Sequence, residues 1–201
     1  IQAIEPAIVA GQIKAVMDDV KPVAIKIGMV NDCATIHAIA DSLSSYSPST
    51  LVVDPVMAST SGSMLMQRDA LEVFCSELLP MATLLTPNIP EAEVLSKTEI
   101  HTVDDMDVAA KRILAMGCKA VLIKGGHLEG NKKIDKLYLN DGTVHTFVHA
   151  TINTRNTHGT GCTLSSAIAA HLALGYGLDE AVAKGKNYLA EALAAGAPYA
   201  I

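Results

Sequence analysis

Residues 102–127 read TVDDMDVAAKRILAMGCKAVLIKGGH, and the fold class turns on them. Thr102-Val103-Asp104-Asp105 has the form of a capping box, a helical pattern runs over 103–116, and Gly117 closes it with the residue type that helix ends favour. Ala120–Ile123 is then a short, wholly apolar run, the pattern of a strand buried on both faces of a parallel sheet. A helix leading into such a strand is half of a β–α–β unit, and the same rhythm extends in both directions. Toward the N-terminus, brief apolar runs at 23–27, 51–53 and 83–85 alternate with helical patterns over 32–46 and 68–79. A first helix is expected over 6–20, where Ile8, Ile13, Val16 and Met17 recur at helical spacing. Toward the C-terminus, 136–139 and 143–148 flank Asn140-Asp141-Gly142, residues that tolerate positive φ and favour a tight antiparallel hairpin at a sheet edge. Two last helices, 161–174 and 179–195, carry Leu164, Ile168 and Leu172, then Val182, Leu189 and Leu193, along apolar stripes. The expected class is α/β, with a mostly parallel central sheet and an antiparallel edge hairpin. No repeat or low-complexity linker divides the 201 residues, so one domain is expected across 1–201.

Half of the residues are hydrophobic and 18% are charged, enough to bury a substantial core. Fifteen Lys+Arg against 21 Asp+Glu give a net charge of −6 without charge runs, so no basic surface suited to nucleic acid is expected. No stretch approaches the roughly twenty apolar residues of a membrane span, and no membrane partner is expected. The four cysteines, Cys33, Cys75, Cys118 and Cys162, lack CxxC spacing, which argues against a zinc ribbon or redox motif and for a reduced, cytoplasmic setting. With five Tyr, two Phe and no Trp, the core is expected to be aliphatic. The chain opens at Ile1 with neither a basic leader nor a signal-type apolar segment, which suggests part of a longer product. High apolar content and an open sheet edge make a homodimer the expected assembly.

Chemistry concentrates where strands meet helices. Asn156-Thr157-His158-Gly159-Thr160-Gly161-Cys162-Thr163 combines glycines with hydroxyls and passes directly into a helix. Glycines let the backbone approach a ligand, while unpaired first-turn amides and the positive end of the macrodipole attract phosphate oxygens. The segment reads as an anion-holding loop built on Gly159, Thr160 and Gly161, with Thr157 and His158 beside them. Cys162 stands where that field is strongest, which favours thiolate over thiol and makes it a candidate general base toward a substrate hydroxyl. The plainer alternative is a glycine-rich turn capping an ordinary helix. Asp54, in Asp54-Pro55-Val56-Met57, is a carboxylate at a strand exit, where ligands gather in open α/β sheets; it could hold Mg²⁺ or orient phosphate, or merely cap the loop. Thr86-Pro87-Asn88-Ile89-Pro90-Glu91-Ala92-Glu93 follows another strand, with Asn88 and Glu91 three apart at a helix start. They could serve a metal or its waters, or simply belong to a Pro-initiated helix with acids in its first turn. Lys124-Gly125-Gly126-His127 brings a cation and a flexible pair to the same sheet edge.

Other motifs carry less. The run Gly125 to Gly130 superficially matches a Walker loop, but Asn131 stands in place of its lysine and a hairpin follows. No GxGxxG or GxSxG motif occurs. His145 and His149 share one strand face without a third ligand, and His37, His101 and His171 have no chemical context.

Five segments taken together, GMV at 28–30, DPVM at 54–57, TPNIPEAE at 86–93, KGGH at 124–127 and NTHGTGCT at 156–163, resemble the hydroxymethylpyrimidine/phosphomethylpyrimidine kinase family in content and order. NTHGTGCT is the most diagnostic, because Cys162 stands where most ribokinase-like enzymes carry aspartate. The resemblance implies a ribokinase-like three-layer α/β/α sandwich that uses ATP and Mg²⁺. It implies transfer of a phosphoryl group to a hydroxymethylpyrimidine and then to its monophosphate, in thiamine biosynthesis. The amides of Gly159, Thr160, Gly161 and Cys162 would then steady the transferring group while Cys162 takes the hydroxyl proton. Asp54 and Glu91 would hold Mg²⁺ with Asn88 nearby, and Lys124, Thr157 and His158 would lie along the nucleotide. Family members also begin with a strand and a segment resembling AGTDPSGGAG, and end with a GHG-containing tail, neither of which lies within 1–201; a domain incomplete at both ends is expected. Two readings compete: a pyridoxal or pyridoxine kinase of the same fold, and a noncatalytic nucleotide-binding or regulatory module.

Overall fold

A computed structural model describes residues 3–58, 64–127 and 132–199. Its elements run α1 (Pro6–Asp19), β1 (Ile25–Ile27), α2 (Cys33–Ser44), β2 (Leu51–Val53), α3 (Ala70–Val73), β3 (Leu84–Leu85), α4 (Ile89–Ser96), α5 (Asp105–Leu114), β4 (Ala120–Ile123), β5 (Lys132–Leu139), β6 (Val144–Ala150), α6 (Thr160–Ala173) and α7 (Leu178–Gly196). The six strands form one sheet in sequence order, β1 to β4 parallel and β5 and β6 antiparallel, with β6 at the edge. The expected α/β class and edge hairpin are both present.

Strand alternation sorts side chains into two layers. Ile27, Val53, Leu85, Val121 and Ile123 face one core, filled by Ile36, Leu43, Phe74, Leu95, Met106 and Ile113 from α2 to α5 and the turns between them. Val52, Leu84, Ala120, Leu122 and Leu137 face the other, against Leu164 and Ile168 of α6 and Ala181 and Val182 of α7. Each fully buried Leu or Ile contributes roughly 1.5–3 kcal/mol, so the three-layer arrangement follows directly from the alternation. At the α6–α7 crossing, a Cβ on Gly185 would stand 2.8 Å from Ile168 Cγ1, which is why a glycine sits there.

Local signals behave as their chemistry dictates. The Asp32 side chain accepts from the Thr35 amide and starts α2. Thr102 and Asp105 form the reciprocal box, with Asp105 Oδ2 accepting from the Thr102 amide (2.8 Å) and Thr102 Oγ1 from the Asp105 amide (3.3 Å). Gly117 closes α5 at φ 111°, and Gly142 turns the hairpin at φ 89°. The helix expected over 68–79 is different: α3 gives way to a π-helical turn at Phe74–Leu78 and a 3₁₀ turn at Leu79–Met81. Pro80 cannot donate the next ladder bond, and the Leu79 amide reaches back to the Phe74 carbonyl while Phe74, Leu78 and Leu79 stay buried. The hairpin is longer than expected, reaching from Lys132 to Ala150. The end of the run Gly125 to Gly130, with Asn131, lies outside the described residues. Among the described residues no helix is long and apolar enough to cross a membrane.

Candidate active site

The site stands at the C-terminal edge of the parallel strands, on the face covered by α6. Asp54, Thr86 and Lys124 are the first residues beyond β2, β3 and β4. Their amides continue the sheet by donating to Ile27 O, Val53 O and Pro87 O, each at 2.9 Å. Asp54 is 2% exposed, and its Oδ1 receives Lys124 Nζ and Thr86 Oγ1, both at 3.1 Å. Thr86, itself buried, is a functional candidate that sequence reasoning passed over, because a threonine at a strand end is unremarkable in pattern.

Asn88 and Glu91 form a complete capping box: Asn88 Oδ1 accepts from the Glu91 amide at 2.9 Å and Glu91 Oε2 from the Asn88 amide at 2.8 Å. The plainer reading of this pair is therefore realised, and it leaves Asn88 with its side-chain NH₂ and one lone pair of Oδ1 to offer. Glu91 is nonetheless drawn into the site. Burial pushes its carboxyl above the ordinary range; the Lys124 ammonium and the Asn88 amide oppose the rise, Asp54 adds to it, and the Met57 amide lowers it. Two buried carboxylates thus share one ammonium, a balance that a divalent cation would even out.

The start of α6 completes the constellation. Gly159 adopts φ 78°, a left-handed conformation that glycine accepts without strain, and makes no side-chain cap. The Thr160 amide donates to Thr157 O at 3.4 Å and the Thr163 amide to Gly159 O at 2.9 Å, whereas the amides of Gly161 and Cys162 donate to no described residue. A Cβ on Gly161 would lie 3.3 Å from Asp54 Oδ2 and 3.4 Å from Lys124 Nζ, so the start of α6, the carboxylate and the ammonium border one small space. Ser165 Oγ is spent on the Gly161 and Cys162 carbonyls (2.9 and 3.2 Å), which holds this first turn without consuming its donors. Asn156 ties the preceding loop to the end of α7 by donating to Gly196 O and Tyr199 O (2.8 and 2.7 Å).

Two grooves run along α6 and α7. One, of about 640 Å³, is lined by Cys162, Ser166, Ala167, Ala170, His171 and Tyr188 among others. The second, of about 400 Å³, has Arg155, His158 and Thr160 at its polar end and Leu189, Ala192 and Leu193 along α7. Cys162 is the exposed cysteine; Cys33 and Cys75 are half-buried, and burial pushes the Cys118 thiol up to about 12. The structure thus brings together Asp54, Asn88, Glu91, Lys124 and Gly161, with Thr160 and Cys162 flanking them. Thr157 holds Thr160 through its carbonyl, and His158 sits on the second groove, outside the Asp54 cluster.

A family model described as phosphomethylpyrimidine kinase matches residues 1–200. The chain belongs to that family. It is 44% identical over 199 residues to the thiamine biosynthesis bifunctional protein ThiED of Geobacter sulfurreducens, covering 98% of this chain and 40% of that one. It is 44% identical over 197 residues to the hydroxymethylpyrimidine/phosphomethylpyrimidine kinase of Rhizobium meliloti, covering 97% of this chain and 73% of that one. The crystal structure of phosphomethylpyrimidine kinase from Clostridium difficile 630 superposes with a TM-score of 0.83 at 43% identity, covering 96% of this chain and 78% of that one. Pyridoxal kinase from Staphylococcus aureus in complex with AMP-PCP and pyridoxal gives 0.82 at 32%, covering 92% and 66%. The fold is thus the ribokinase-like sandwich expected from the motifs, and the chain spans less than half of the bifunctional relative and about three quarters of the single-function one.

Proposed function

We propose that the protein transfers the γ-phosphoryl group of ATP to the hydroxymethyl group of 4-amino-5-hydroxymethyl-2-methylpyrimidine and then to the resulting monophosphate, with residues 1–201 acting as one kinase domain. The observation that carries this reading is the pair of amides at Gly161 and Cys162 that donate to no described residue, at a helix start set against Asp54 and Lys124 with an exposed thiol at the mouth of a groove. Such donors, fixed before the reaction, meet charge as it develops on the transferring group, and positioning and electrostatics carry phosphoryl transfer. Lys124 neutralises phosphate oxygens, and the Asn88 NH₂ donates to them. In the first transfer the acceptor hydroxyl oxygen forms the new P–O bond as the bond to the ADP oxygen breaks, and the hydroxyl proton passes to Cys162 sulfur; in the second, an anionic phosphate oxygen of the monophosphate is the nucleophile and no hydroxyl proton is taken. The alanine- and tyrosine-lined groove beside Cys162 suits a flat heteroaromatic ring, and the second groove, with Arg155 and His158 above Leu189 and Leu193, suits a nucleotide. Asp54 and Glu91 are the residues that would hold Mg²⁺, which would neutralise charge between the ATP phosphates.

The test is ADP release from ATP with the hydroxymethylpyrimidine, its monophosphate, and pyridoxal as separate acceptors, in wild type and Cys162→Ala. Turnover with both pyrimidines is expected, and in Cys162→Ala turnover on the hydroxymethylpyrimidine, whose hydroxyl needs a base, is expected to collapse with ADP affinity retained. Turnover on pyridoxal alone would overturn the substrate, and unchanged turnover in Cys162→Ala would remove the thiol from its role as base.

A further inference from the structure

Lys124 is aimed at Asp54 by a backbone that is held on both sides. Its own amide donates to Pro87 O at 2.9 Å, and the next amide, that of Gly125, donates to Asp135 Oδ1 at 2.8 Å. That second bond orients the peptide plane that begins at the Lys124 carbonyl. Asp135 lies on β5, is 4% exposed, and its Oδ2 is paired with Lys186 of α7, whose side chain is also largely buried. Gly125 cannot be replaced without moving this corner, since a Cβ there would stand 1.9 Å from Ile134 O. A charge in the middle of a strand that spends one oxygen on a loop amide and the other on a distant ammonium is an expensive arrangement, because both ions lose water. The pair joins β5 to α7 and fixes the Lys124–Gly125 corner.

We propose that Asp135, anchored by Lys186, is the positioning residue that sets the direction of the Lys124 ammonium toward Asp54 and the phosphates. The inference rests on the kinase reading above. It also connects the nucleotide side of the molecule to the centre of the site, because α7 carries both Lys186 and the groove residues Leu189 and Leu193.

The experiment compares two double variants that both remove the buried ammonium. Asp135→Val/Lys186→Met removes the acceptor for the Gly125 amide and leaves no unpaired charge, an exchange that is often neutral for stability. Asp135→Asn/Lys186→Met retains the acceptor. Wild-type turnover, measured first, tests the kinase reading by itself; its absence is a failure of that reading, and ADP binding measured by calorimetry then serves as the readout for the variants. The Val/Met protein is expected to lose about ten- to a hundredfold in kcat/KM for ATP, mainly in kcat, with the acceptor KM unchanged. The Asn/Met protein is expected to stay within about threefold of wild type, and on a Lys124→Ala background the Val/Met change is expected to fall below about twofold. Equal effects of the two double variants, or a loss of the same size with and without Lys124, would overturn the proposal. If the Val/Met protein does not fold, Asp135→Ala/Lys186→Met, which also removes the acceptor, is read in the same cycle: a severalfold loss that disappears without Lys124 supports the proposal, and no loss or an additive one defeats it.

Discussion

Gly161→Ala separates stability from chemistry at one position. The new methyl would stand 3.3 Å from Asp54 Oδ2 and 3.4 Å from Lys124 Nζ, closer than most Cβ contacts but short of a backbone clash. Within a helix, alanine is favoured over glycine by up to about 1 kcal/mol, and the tight contacts offset a few tenths of that. The net change in folding is therefore within about 1 kcal/mol of zero, a shift of at most roughly 2–4 °C in Tm for a chain of this size. The same methyl fills the space between the start of α6, the carboxylate and the ammonium where a phosphoryl group must sit. Removing one donor at such a position typically costs about 10²–10³ in kcat, and occluding the space should cost at least as much. Thermal melting monitored by circular dichroism and an ADP-release assay on one preparation test both halves. Gly185→Ala is the converse control: its Cβ would press on Ile168 at 2.8 Å, far from Asp54, so it should melt several degrees lower while the folded fraction keeps its turnover. Gly161→Ala retaining more than about a tenth of wild-type kcat would refute the placement of the phosphoryl group at the α6 start.

Three further expectations follow from the site. Glu91→Gln keeps the capping box, since Gln serves at N3, but removes a buried carboxyl whose ionisation the fold opposes. With the folded pKa raised, Glu91 contributes most favourably below its ordinary range and loses that contribution as pH rises through the elevated value. The variant should therefore equal wild type near pH 4 and melt higher at pH 7 in metal-free buffer, while the Mg²⁺ dependence of turnover weakens; a lower melt at pH 7 would contradict this. Thr86→Val removes one of the two bonds to Asp54 Oδ1 and should lower kcat about tenfold with a Tm change equivalent to about 1 kcal/mol, read in the same pair of assays. Iodoacetamide should label Cys162 well before Cys33, Cys75 or Cys118, and ADP with acceptor should slow it; peptide mapping that finds Cys118 first would contradict the burial order.

What the sequence reveals about this fold depends on whether the deciding interaction is local. Ala120–Ile123, the Thr102 box and the Asn140-Asp141-Gly142 turn are legible because their causes lie within a few residues, and each appears in the structure where the pattern puts it. NTHGTGCT is legible for the same reason, as a loop and a helix start whose donors belong to consecutive residues. The first half of β5 is not legible: Lys132, Lys133, Asp135 and Lys136 look like a solvated segment, and what makes Asp135 a buried strand residue is Lys186, 51 positions away. The π-helical turn at Phe74–Leu78 is half legible, since Pro80 forbids a regular continuation while the burial that selects the wider turn comes from packing. Thr86 has no local signal, because its importance lies in a carboxylate 32 positions earlier.

The site and the fold share the chain's stability unequally. The residues that hold the site in place, Ser165, Asn156, Thr86 and the Asp135–Lys186 pair, have their polar groups satisfied by protein. The groups proposed to meet ligand are left incomplete: two first-turn amides without acceptors among the described residues, a carboxyl held above its ordinary range by burial, and a glycine where alanine would favour the helix. Each of these weakens the free protein slightly and is relieved by an anion, a cation or a phosphoryl group. Stabilising substitutions at the second set should therefore cost activity, whereas substitutions at the first set should cost activity only by way of stability or of the directions in which Asp54 and Lys124 point. The distinction is physical: a polar group already satisfied by protein can orient a reacting atom, and only an unsatisfied one can respond to charge that appears during the reaction.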